Sequence, residues 1–154
     1  MTETLHGTEK ARFVSAMFSR IARRYDLMNG LMTLGMHHAW RRFAARQTIA
    51  SPEGPALDLA TGTGDLALDL AEVHPHRVVV AADFALGMLA VARQKMGGVD
   101  EARRVRLMAA DALALPFETR TFACVTSAFL LRNLADLEQG LRQMKPVCRP
   151  GGRV

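Results

Sequence analysis

Cysteine, aromatic side chains and long apolar runs are all scarce in this chain of 154 residues. Each scarcity removes a class of explanation. The two cysteines, Cys124 and Cys148, make neither a disulfide framework nor a metal-ligand pattern. Cys124 lies in an apolar stretch and reads as a small core residue. No apolar run approaches the ~20 residues that a membrane span needs. The first residues carry Glu3 and Glu9 and lack the apolar centre of a signal peptide. Aromatic residues supply 6% of the chain, without the interleaved set that nucleic-acid stacking uses. These absences favour a protein of the cell interior, cytoplasmic, with no nucleic-acid partner.

What is present is an ordinary globular composition, 49% hydrophobic and 23% charged, long enough for one sizeable core. The net charge of +5 is unevenly spread. Residues 1–50 hold eight of the 20 basic residues and only three of the 15 acidic ones, so the whole excess lies there. A basic N-terminal element facing an anionic partner, such as the inner face of a membrane, is expected.

From residue 8 to 25, apolar side chains recur at spacings of three and four (Phe13, Val14, Met17, Phe18, Ile21, Tyr25), which predicts a helix. Asn29-Gly30 reads as the turn that ends it. His37 to Ile49 reads as a second helix with Trp40 and Phe43 inward. Ser51-Pro52-Glu53-Gly54-Pro55 is a linker, so residues 1–50 form a helical cap and 55–154 the core. Within that core, strands are expected at Ala56–Ala60, Arg77–Ala82, Val105–Ala109 and Phe122–Ala128. Helices are expected at Asp65–Val73, Leu86–Met96 and Ala135 to about Lys145, and Pro150-Gly151-Gly152 begins a fifth strand. This alternation implies an α/β fold with a parallel doubly wound sheet, whose ligand lies beyond the strand carboxyl ends.

The first strand runs into Thr61-Gly62-Thr63-Gly64-Asp65, a glycine turn opening a helix. Gly62 and Gly64 let a ligand lie against bare backbone. Gly62 to Ala67 satisfies the dinucleotide pattern, with Asp83 following at the second strand end, yet carboxylates at Asp58 and Asp65 flank the turn. Asp65 would repel a pyrophosphate, whereas Asp58 could receive an ammonium group. Asp83 suits ribose hydroxyls, and Asp111-Ala112 offers an acceptor and an N–H to an adenine edge. This combination favours S-adenosyl-L-methionine.

Four segments stand out: Phe18–Asn29 continuing to Leu34–Arg41, Leu57–Asp65, Asp111–Phe117, and Leu131-Arg132-Asn133-Leu134 with Pro150–Arg153. In these the chain resembles the quinone-biosynthesis C-methyltransferases, the demethylmenaquinone / 2-polyprenyl-6-methoxybenzoquinol methyltransferase family. The second and third are common to many class I methyltransferases; the Arg-Tyr-Asp-Leu-Met-Asn block and Leu-Arg-Asn step are more specific. The resemblance implies a class I, Rossmann-like core, S-adenosyl-L-methionine as cofactor and a polyprenylated quinol as substrate. It also implies a longer chain with further strands, of which this would be a C-terminally truncated part, and leaves room for an oligomer. Cofactor contacts are implied at Thr63, Asp83, Asp111 and Ala112. Ala128 stands where the family has a serine, and Leu130 where a glycine is usual.

Methylating a ring carbon requires an electron-rich ring, so a quinol oxygen must lose its proton near the methyl donor. Tyr25, Asp26, His37 and Arg132 are the candidates for this work, Arg132 as a phenolate stabiliser. The competing readings are another class I methyltransferase, acting on a small molecule or RNA, and a non-catalytic cofactor-binding fragment.

Overall fold

A computed structural model describes residues 7–128, 130, 134 and 136–154, without the side chains of 7–15, 19, 23 and 25. Two helices come first, α1 (Gly7–Met32) and α2 (Met36–Gln47). They are followed by β1 (Ala56–Leu59), α3 (Asp65–Val73), β2 (Val79–Asp83), α4 (Leu86–Met96) and, after a short 3-10 turn, β3 (Val105–Ala109). The chain then forms β4 (Phe122–Thr126), α5 (Leu137–Val147) and β5 (Cys148–Arg153). All five strands are parallel, in the order β3-β2-β1-β4-β5. The strand order reverses between β1 and β4, and such a switch point leaves a crevice at the strand ends.

The alternation of a parallel strand builds a core on each face of the sheet. Val79 and Ala81 of β2 pack with Leu66, Leu70 and Ala71 of α3 and Ala92 of α4. Ala82 turns the other way, into a cluster with Leu57, Leu59, Phe122, Met144 and Val147. Helix α1 lies on α4, where Ala22 meets Ala85 and Met88, while α2 lies on α3.

Two expectations fail here. Helix α1 does not stop at Asn29-Gly30 but continues to Met32. Its end is set by Thr33, whose N–H and hydroxyl both donate to the Asn29 carbonyl, and by Gly35, whose N–H reaches back to Gly30. Gly35 sits at φ +79°, the left-handed end that glycine tolerates. Second, Trp40 and Phe43 face outward at 50% and 65% exposure, because α2 meets α3 through Arg41 and Ala45. The 51–55 linker is pinned at its start. Ser51 is buried, donates to the Thr48 carbonyl and accepts from Arg77, while Thr48 is hydrogen-bonded to the His74 ring.

Candidate functional site

β1 ends because Ala60 adopts a left-handed conformation, φ 57°, and the chain then folds back through Gly62 at φ 58° and Gly64 at φ 86°. At Gly64 a side chain is excluded twice over: the backbone is left-handed, and a Cβ would run into the methyl of Met96. This close approach joins the start of α3 to the end of α4. The turn lines a cavity of about 40 Å³ with Asp26 and Asn29 of α1, Arg41 of α2, Asp58, Ala60, Thr61, Leu66 and Ala128.

Two buried carboxylates stand at the strand ends, of which Asp58 lines the cavity and Asp83 does not. Asp58, only 1% exposed, accepts a hydrogen bond from Thr61 Oγ1 at 2.6 Å and a longer one from Thr126 Oγ1 at 3.4 Å. Burial pushes its carboxyl up to about 7, helped by the negative Asp83 nearby, and the two hydroxyls only partly offset this. Asp83 stands one strand over. Its Oδ2 accepts from the Gly62 N–H and its Oδ1 from the Ala85 N–H, both at 2.8 Å. Burial raises its pKa against the pull of those backbone donors. The Phe84 N–H is a third backbone donor, so the carboxylate keeps only part of its lone-pair capacity. Asp111 follows β3, exposed, its side chain accepting from the Leu113 N–H, with Ala112 buried beside it. Asp111 and Ala112 are absent from the lining of the described cavity.

Asp65 plays a different part from the one its position suggested. Arg41 holds its carboxylate at 3.1 Å and Lys95 holds its other oxygen, so two cations neutralise it. It does not stand free to select a cationic ligand. Arg41 also bonds Asp69 at 3.3 Å, fastening α2 to α3. Asp26 accepts from Thr63 Oγ1 at 2.5 Å and from Lys95 Nζ at 2.7 Å. Burial raises Asp26, but Lys95, Thr63 and Arg41 outweigh it and hold the carboxyl below its ordinary value.

His37 is buried in the α1–α2 corner, its Nδ1 hydrogen-bonded to Thr33 Oγ1 at 2.7 Å, and it does not line the cavity. Burial first, then the charges of His38 and Arg41, lowers its pKa. Arg132 and the side chain of Tyr25 lie outside the described residues. Ala128 lines the cavity and Leu130 is buried in the core behind it. Residue reasoning missed Thr61, Arg41 and Lys95. Only Thr61 carried a local signal, a hydroxyl three residues after the carboxylate it serves.

The same framework recurs in known proteins. A putative S-adenosyl-L-methionine-dependent methyltransferase from Methanococcus maripaludis superposes with a TM-score of 0.75 at 17% identity, over 99% of this chain and 64% of that one. A demethylmenaquinone methyltransferase of Thermus thermophilus is 51% identical over 140 residues, 90% of this chain and 62% of the relative. One from Deinococcus radiodurans is 44% identical over 146 residues, 95% of this chain and 60% of the relative. The chain thus spans about 60% of the length of such relatives. The sheet order, the glycine turn and a match to the family model over residues 5–154 together place this chain in the ubiE/COQ5 methyltransferase family.

Proposed function

We propose that this chain acts in S-adenosyl-L-methionine-dependent C-methylation of a polyprenylated quinol, a precursor of menaquinone or ubiquinone. The observation that carries the reading is the pair of buried carboxylates, Asp58 and Asp83, set around a glycine turn at adjacent parallel strand ends. Among the described residues Asp58 is hydrogen-bonded only to hydroxyls, so an ammonium group would supply the cation its burial lacks. Asp83 keeps lone pairs for a ribose diol, and Asp111 with Ala112 serves the adenine. Gly62, Thr63 and Gly64 present backbone and a hydroxyl to the methionine part. The donor set fits this cofactor; the 40 Å³ cavity holds it only if α1 shifts.

When bound, the cofactor supplies an electrophilic methyl, and the chain's task is alignment and proton removal. Tyr25 and Arg132 are proposed for the quinol oxygen, Arg132 to stabilise the phenolate, while His37, buried away from the cavity on Thr33, is left out of that role. Residues 1–50 are proposed as the cap over the site. Among these residues Leu27, Leu31, Leu34, Trp40 and Phe43 are exposed, as are Arg20, Arg24, Arg42 and Arg46. This mixture suits an anionic lipid surface, where a polyprenyl tail resides. No described helix is long and apolar enough to cross a membrane.

Isothermal calorimetry of the folded protein with S-adenosylmethionine and S-adenosylhomocysteine tests the cofactor. Binding of both is expected, and binding of NAD in their place would overturn the reading. The lipid contact is tested by co-sedimentation with anionic vesicles, where Arg20, Arg24 and Arg42 changed together to Glu should release the protein. Accumulation of a demethylated quinone precursor on loss of the gene would identify the acceptor.

A further inference from the structure

Lys95 stands neither in the glycine turn nor at a strand end, yet its ammonium group meets three side chains of the site. It donates to Asp26 Oδ2 of α1 at 2.7 Å and to Thr63 Oγ1 at 3.1 Å, and it pairs with Asp65. The Thr63 hydroxyl, itself buried, donates to Asp26. The first helix is thereby fastened across the loop that follows β1. Beneath this fastening the cavity measures about 40 Å³. Pockets for ligands of nucleoside size run to roughly 300–1,000 Å³. The closed cavity therefore has no room for the part of a ligand that would reach Asp58 and Thr63, and Thr63 cannot give its single hydroxyl proton to both Asp26 and a ligand.

We propose that Lys95 is a positioning residue that latches α1 across the glycine turn by holding Asp26 on Thr63, so that a ligand reaches Asp58 and Thr63 only when this contact opens. The inference rests on the cofactor reading above. The chemistry suits a reversible latch. Asp26 and Lys95 are both part-exposed, at 39% and 30% of their side chains, so their attraction is moderated by solvent. Asp65 retains Arg41 when Lys95 departs, so opening strands no carboxylate. Thr63, released from Asp26, becomes free to contact the ligand. A chain that spends part of its time latched shows an apparent affinity lowered by the latched fraction.

Two measurements test the proposal. Without ligand, amide hydrogen exchange across residues 18–32 and 60–66 should quicken in Lys95→Met and Asp26→Asn. It should stay near wild type in Lys95→Arg and in the exposed control Arg103→Gln. With ligand, stopped-flow association of S-adenosylhomocysteine should be about two- to fivefold faster in Lys95→Met and Asp26→Asn. The dissociation rate should be unchanged, and Lys95→Arg should behave as wild type. Unchanged exchange in both segments overturns the latch whatever the ligand does. Quickened exchange with unchanged or slower association leaves the contact real and overturns its control of entry. Should no variant bind S-adenosylhomocysteine, control of entry falls together with the cofactor reading. Binding by wild type without the rate difference overturns the latch alone. Asp26→Asn keeps an acceptor for Thr63 and serves as the milder variant if Lys95→Met folds poorly.

Discussion

The floor of the site and its roof are built by opposite means. On the floor, Asp58 and Asp83 are buried and held by hydroxyls and backbone N–H groups that the strand ends supply. At the roof, Asp26, Thr63 and Lys95 join helices distant in sequence through part-exposed charges. A buried carboxylate answers to protons, because desolvation opposes its charge. A part-exposed ion pair answers to salt, because its field passes through water. The comparison separates a buried, hydrogen-bonded floor from a part-exposed, charged roof.

The largest effect that would sharpen this contrast is the pH response of the floor. Asp58 titrates at about 7 in the folded chain against 3.8 for an ordinary carboxyl. Below the lower value both states hold the proton and Asp58 adds no slope. Between the two values the folded state retains a proton that the unfolded state has lost, so stability falls as pH rises. The fall amounts to roughly 4 kcal/mol at most. Urea unfolding at pH 5 and pH 7.5 should show wild type losing more stability than Asp58→Asn across that window; equal losses would place Asp58 in a wetter setting.

Asp83→Ala comes next. It leaves the Gly62 and Ala85 N–H groups without their acceptor, at a cost of about 3 kcal/mol. A denaturant midpoint close to wild type would show that the floor is less buried than the contrast requires. Gly64→Ala follows, at about 2 kcal/mol, from left-handed backbone strain and the displaced Met96. Thermal melting reads it, and an unchanged midpoint would mean the turn can relax. Smallest is Lys95→Met, below about 1 kcal/mol. Raising the salt concentration should shrink even this difference, while leaving the Asp83→Ala penalty largely intact. A salt-resistant Lys95 effect would erase the distinction between roof and floor.

Legibility followed the same division. The alternation of apolar runs with glycine and proline punctuation announced α3, α4 and β3 with their observed bounds. It also placed Asp58, Asp83 and Asp111 at successive strand ends. Local pattern suffices there because a strand between two helices is buried on both faces. It failed at Asn29-Gly30, where helix α1 runs through a turn signal to Met32, and at Trp40 and Phe43, where residue type suggested burial. It misjudged Asp65, whose charge looked free until Arg41 and Lys95 arrived from other helices.

The sequence by itself determined the parallel sheet, the glycine turn and the carboxylates around it. Those depend on neighbours within one strand-turn-helix unit and on an alternation that allows few other topologies. Only the tertiary structure decided which charges cancel, which face of α2 is inward and that α1 is fastened to Thr63. Such pairings join residues far apart in the chain, and no local preference of either partner encodes the other.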